Sequence, residues 1–109
     1  MRVVVGPGRD EVVLADAEDL TRFHVQVHPG IPVDALGDLV HGTRLGHMDG
    51  EDVAVAPHAI RRLAGERSAT WESDLEAMIA FAAQRGWVTP QGYVRAHVEW
   101  VEAEEQEDR

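Results

Sequence analysis

Histidine can act as a general acid, a general base or a metal ligand, and it occurs six times in the 109 residues of this chain. His24 and His28 alternate with apolar residues in FHVQVH, and His97 lies between Arg95 and Glu99 in YVRAHVEW. On neighbouring strands, a histidine beside a carboxylate could act as a general base while an arginine holds an anionic substrate. We prefer the interpretation that these five residues form the solvent-exposed polar face of a sheet whose other face is packed on the core.

Neither a metal site nor a cofactor site is predicted. On a strand, the four residues from His24 to His28 span about 13 Å, too far for two ligands that lie about 2 Å from one zinc ion. The segment HGTRLGHMDGED, residues 41–52, lacks the spacing of a calcium-binding loop, so we expect a polar surface loop there. Because the chain has no cysteine, disulfides, thiol catalysis and cysteine-ligated zinc are excluded.

Strands and short helices are expected to position these residues. The β-branched runs 2–5 and 11–14, separated by GPGRD, indicate an N-terminal hairpin, and the alternation over 23–28 indicates a third strand. A short helix is expected over 32–41, where Gly42 can close it. A strand over 53–55 precedes a second short helix, PHAIRRLA, with Pro57 in its first turn.

The segment WESDLEAMIAFAAQ has the clearest helical period in the chain. Its apolar stripe consists of Trp71, Leu75, Met78, Ile79 and Ala82. Either Thr70 or Ser73 is expected to cap this helix, the latter in a capping box with Glu76. Gly86 is the natural residue just past its end.

The helix leads into a closing hairpin. Residues 89–92, TPQG, suit a type I turn, and residues 93–100 alternate strictly. Val94, Ala96, Val98 and Trp100 are predicted to point inward. The predicted fold class is therefore α+β: a small mixed or antiparallel sheet with an N-terminal hairpin, two short helices, one long amphipathic helix and a C-terminal hairpin.

The order helix, helix, hairpin resembles the connectivity of a winged helix, so a winged-helix-like regulatory protein is one alternative. The charge argues against nucleic-acid binding. The chain has 20 acidic residues, 10 basic residues and a formal net charge of −10. Such a field repels phosphate backbones and anionic membrane surfaces. We expect neither nucleic acid nor membrane as a partner.

Length and composition predict one α+β domain over 1–101, followed by an acidic, disordered tail over 102–109. No apolar run approaches the roughly 20 residues needed to span a bilayer, and the start of the chain lacks the apolar region of a signal peptide. A cytoplasmic location is the expectation.

The function predicted from these features is that of a small accessory or regulatory protein without catalysis, acting through protein–protein interaction, with a homodimer as one form of that interaction. The candidate interface residues are the aromatics Phe81, Trp87, Tyr93 and Trp100. The flank of the long helix, or the sheet edge beside the closing hairpin, is the expected contact. The alternative is a small-molecule enzyme or ligand-binding protein that uses the histidine, glutamate and arginine cluster.

Overall fold

The computed structural model of the chain describes residues 1–6, 11–20 and 23–101. Within these ranges the elements follow one another as β1 (Arg2–Val5), β2 (Val12–Ala15), β3 (His24–Val27), α1 (Leu36–Gly42), β4 (Gly46–Asp49), β5 (Asp52–Val55), α2 (Pro57–Ala64), α3 (Ala69–Gln84) and β6 (Val94–Trp100). A 3-10 turn over Val33–Ala35 leads into α1. The predicted α+β class is confirmed. The predicted acidic tail, 102–109, lies outside the described residues.

The strands form one six-stranded mixed sheet in the order β2-β1-β3-β6-β5-β4. The three middle strands β1, β3 and β6 run parallel, and the outer strands pair antiparallel with their neighbours. The register places Val3 beside Val25 and Val25 beside Val98. Because side chains alternate along each strand, these valines share the inner face of the sheet.

The core lies on this inner face, and all three helices contribute to it. The buried helix residues in the core cluster are Leu36 and Val40 of α1, Ala59 and Ile60 of α2, and Trp71 and Leu75 of α3. The indole nitrogen of Trp71 donates a hydrogen bond to the carbonyl of Ala17 at 2.7 Å. This bond satisfies the polar group of a large side chain that is only 3% exposed. The opposite, outer face carries the polar residues.

The position of β6 differs from two sequence-based expectations. It pairs with β3 on one side and β5 on the other, so its backbone groups are not an open edge. The edges of the sheet are β2 and β4. The closing hairpin is a single bridge between Val88 and Val94, and the strand that follows it lies in the middle of the sheet rather than in a peripheral wing. The inward side chains of β6 are small or β-branched, which suits such a central position.

Three local boundaries also differ from the prediction. Part of the expected polar loop forms β4, because Gly46 allows the strand to approach β5: a Cβ there would lie 1.7 Å from the carbonyl oxygen of Ala54. Helix α1 includes Gly42, and the left-handed position beyond its end falls on Arg44, with φ of 61°. Helix α3 is capped by Ser68, whose hydroxyl accepts a hydrogen bond from the Trp71 amide at 3.1 Å. The cap therefore precedes both predicted candidates.

Candidate functional site

The outer face brings together three of the five residues that are candidates for the catalytic alternative. Strands β3 and β6 are adjacent and parallel, with His24 opposite His97 and Gln26 opposite Glu99. The Nε2 atom of His24 lies 3.4 Å from Oε1 of Glu99. The same carboxylate oxygen accepts a hydrogen bond from the Gln26 side chain at 3.2 Å. The adjacency of the two strands, on which the catalytic alternative depends, therefore brings an imidazole and a carboxylate together on this face.

The other two predicted catalytic residues have different partners. Arg95 forms an ion pair with Asp49 at 3.0 Å, which holds its guanidinium toward the β4–β5 hairpin. His28 lies beyond the end of β3, where its Nδ1 atom accepts a hydrogen bond from the Gly30 amide at 3.1 Å. Neither residue therefore has its side chain engaged with the His24–Glu99 pair.

The His24–Glu99 pair lies on an open surface. The His24 and Glu99 side chains are 32% and 54% exposed, so water reaches both groups. The neighbouring His97 lines two cavities, of about 570 and 400 Å³, and neither His24 nor Glu99 lines either of them. General-base catalysis requires a base within hydrogen-bond reach of a positioned substrate, and these cavities do not place a substrate against this pair. Among the described residues, no group of three histidine or acidic side chains could hold a metal ion.

A second cluster forms at the C-terminal end of α3. The rings of Phe81 and Trp87 meet edge to face, with centroids 6.4 Å apart and planes at 73°. The guanidinium carbon of Arg85 lies 4.6 Å from the Phe81 ring centre and 5.8 Å from that of Trp87. The aromatic residues are nevertheless 50% and 46% exposed. We call these three residues the aromatic cluster.

Helix geometry and two hydrogen bonds hold the aromatic cluster in place. Phe81 lies about 100° from the centre of the apolar stripe of α3, because each residue turns the helix by that angle. The Trp87 amide donates to the Ala82 carbonyl at 2.9 Å, and the Trp87 carbonyl accepts from the Arg95 amide at 2.7 Å. The backbone of Trp87 is thereby fixed between α3 and β6.

The charges beside the aromatic cluster were not singled out from the sequence. Asp74 is exposed on the same flank of α3 as Phe81, seven residues earlier. Within the described part of the chain, neither Asp74 nor Arg85 forms an ion pair, whereas Glu72 pairs with Arg61 at 2.8 Å. The signal in the sequence was the spacing of residues 74, 81 and 85, at i, i+7 and i+11. We call residues 74, 77, 81 and 85 the α3 flank.

The remaining two predicted interface residues lie elsewhere. The ring of Tyr93 packs against His47 with centroids 5.4 Å apart. Trp100, predicted to point inward, is 38% exposed because it lies at the end of β6. With the 74% exposed Val33, it lines the cavity of about 400 Å³. The structure thus joins Phe81 and Trp87 but not the other two aromatics.

Comparison with known proteins supplies no analogy for either cluster, since no family model, curated protein or solved structure matches the chain. Among the described residues, no helix has the length and apolar character required to cross a bilayer.

Proposed function

We propose that the chain is an accessory or regulatory protein that acts through protein–protein contact, and that its partner is a second copy bound through the α3 flank. The observation that supports this proposal is the aromatic cluster, in which two large rings and a guanidinium are ordered by one another yet remain half exposed. Ordered apolar groups that face water are typical of interaction sites.

The composition of the cluster suits the centre of an interface. Phenylalanine, tryptophan and arginine are enriched in such centres, and tryptophan and arginine are the residues that most often dominate binding energy. The stacking of Arg85 on Phe81 and Trp87 reduces the side-chain freedom that binding would otherwise remove.

The charges of the α3 flank favour a second copy because they are self-complementary. In a two-fold symmetric contact, a residue that touches another is touched by it in return. If two α3 helices pack antiparallel and cross near residues 79 and 80, Asp74 of each copy lies opposite Arg85 of the other. Ala77 then lies opposite the Phe81 ring, so a small side chain receives a large one. Both charges lack an ion-pair partner within the described part of the monomer.

The net charge of the chain opposes self-association, but only over a distance. Two copies with −10 each repel one another. At physiological ionic strength the Debye length is about 8 Å, so charges farther apart than this are largely screened. The charges in contact across the interface are closer than this distance, so they determine whether two copies associate.

Sedimentation equilibrium at tens of micromolar tests this proposal. The wild-type chain should give a mass above the 12.0 kDa of the monomer, whereas Phe81→Glu should give the monomer mass. The matched control is Val13→Glu, since Val13 is 51% exposed, lies beside Val4 on the outer face of the sheet and is not part of the α3 flank. The control should associate like the wild type.

Circular dichroism should show that both variants are folded. A wild-type chain that sediments as a monomer at these concentrations would overturn the homodimer. Equal weakening by the two variants would show that any added charge disrupts association, and the proposed surface would then be wrong.

A further inference from the structure

A cavity beside the end of α1 has an unusual lining for so acidic a chain. Its volume is about 540 Å³, and it is lined by His41, Gly42, Arg44, Gly46, His58 and Tyr93. No carboxylate is among these residues, although acidic residues outnumber basic ones two to one in the chain. The lining shares no residue with the α3 flank. The cavity therefore differs from the α3 flank in both its position and the chemical character of its lining.

Among the arginines that the structure describes, Arg44 is the one whose side chain has no hydrogen-bond, ion-pair or stacking partner. Four others pair with carboxylates: Arg2, Arg61, Arg67 and Arg95. Arg62 donates to the Thr43 carbonyl at 3.0 Å, and Arg85 stacks on two rings. Among the described residues, the Arg44 guanidinium makes no hydrogen bond, ion pair or ring contact. Its five donors are available to a ligand.

The backbone at Arg44 is held in a conformation that favours glycine. Its φ of 61° is in the left-handed region. The Arg44 amide donates to the His41 carbonyl at 3.1 Å, and the Leu45 amide donates to the Val40 carbonyl at 3.0 Å. These are the two bonds of a Schellman motif, which commonly has glycine at this position. An arginine occupies it instead, and its side chain borders the cavity.

We propose that this cavity binds the phosphate group of a small phosphorylated molecule. Arg44 would supply a bidentate pair of hydrogen bonds, since the fork of a guanidinium matches two phosphate oxygens. His41, His58 and the Tyr93 hydroxyl can donate further hydrogen bonds from the walls. The packing of the Tyr93 ring against His47 fixes that wall.

The size of the cavity favours a phosphate ester over the free ion. A volume of about 540 Å³ lies in the range of about 300–1,000 Å³ that small-molecule sites occupy. A polyanion is a poor fit, because the net charge of −10 repels a long row of phosphates. One phosphate needs only the local group of donors.

Titration with inorganic phosphate and with phenyl phosphate, followed by ¹H–¹⁵N NMR at constant ionic strength, tests the proposal. Both ligands should shift the Arg44 and His58 amides and the ring protons of His41 and His58. Phenyl phosphate should bind more tightly, because its ring fills more of the cavity. Saturation is expected at millimolar concentrations or below, since one charge-assisted site of this kind supports modest affinity.

Two substitutions of Arg44 separate binding from folding. Arg44→Gln and Arg44→Gly should each weaken phosphate binding about tenfold or more, because both remove the charge-assisted hydrogen bonds. Arg44→Gly should not lower the thermal unfolding midpoint, since glycine adopts this φ without strain. The matched control is Arg67→Gln, which changes the charge equally but lies outside the cavity, in an ion pair with Glu18.

The proposal is overturned if neither ligand shifts these signals up to tens of millimolar, or if both Arg44 variants bind as the wild type does. Equal weakening by Arg67→Gln would also overturn it, because binding would then follow net charge rather than this cavity.

Discussion

Reversal of one charge on the α3 flank should weaken the proposed dimer by an amount that follows from its symmetry. In Asp74→Arg, an arginine faces Arg85 of the other copy. Asp74 is exposed and has no ion pair within the described part of the monomer, so its replacement should leave the fold intact. The change therefore acts on the contact between copies.

The magnitude can be worked out from one exposed ion pair. Such a pair contributes about 0.5 kcal/mol, and reversal replaces the attraction with a repulsion of similar size, a change of about 1 kcal/mol. A two-fold dimer contains the pair twice, which gives about 2 kcal/mol. The dissociation constant should rise about 30-fold. Sedimentation equilibrium over a range of concentrations measures this change.

Glu76→Arg is the matched control. It changes the net charge by the same amount, and Glu76 is exposed about 140° around α3 from Phe81. It should bind as tightly as the wild type, or slightly more tightly, since general repulsion falls. The double variant Asp74→Arg with Arg85→Asp should recover part of the loss, because the pair is restored with its signs exchanged. Equal dissociation constants for the two single variants would refute the antiparallel pairing.

Three further predictions concern the fold and the outer face. Trp71→Phe should lower the free energy of unfolding by about 2 kcal/mol in urea denaturation, because the buried Ala17 carbonyl loses its donor; no loss would mean that water replaces the indole. Gly46→Ala should cost about 3 kcal/mol by the same assay, since its Cβ would lie 1.7 Å from the Ala54 carbonyl oxygen. Unchanged stability would show that β4 can move freely. Glu99→Gln should change the free energy of unfolding by less than about 1 kcal/mol, as expected for an exposed pair; a much larger loss would contradict the interpretation of this face as solvated.

Much of the fold could be predicted because local pattern and burial agree. The alternation around Val25 and Val98 placed both strands and their inner faces correctly, since a strand with one buried face requires that period. The stripe from Trp71 to Ala82 located the long helix for the corresponding reason. The β-branched runs at the start gave the first hairpin.

The order of the strands in the sheet could not be predicted from the sequence pattern. Local alternation does not state which strand lies beside which, so the central position of β6 was missed. The short strand at Gly46 was missed because its need for close approach to β5 is visible only when the partner is present. The cap at Ser68 lay before the apolar period began, where the pattern gives no boundary.

The candidate sites could likewise be predicted from the sequence only in part. Alternation sufficed to place His24 and Glu99 on one face, and helical period sufficed to place Phe81 at the margin of the stripe. The contact of Arg85 with Phe81 follows from their i, i+4 spacing at the end of α3. The contact of Arg85 with Trp87, and the lack of a side-chain partner for Arg44 among the described residues, depend on the three-dimensional arrangement of the chain, which spacing alone does not give.

Spin-label distances across the proposed dimer test the central claim most directly. The chain has no cysteine, so Ala80→Cys and Ser73→Cys each provide one label site, both exposed on the same side of α3 and outside the α3 flank. For antiparallel helices that cross near residues 79 and 80, a rise of 1.5 Å per residue separates the labels by about 2 Å along the axis at residue 80 and about 20 Å at residue 73. Double electron–electron resonance should therefore give a clearly longer distance for residue 73 than for residue 80. Equal distances at the two sites, or no dipolar signal between copies, would contradict the proposed contact.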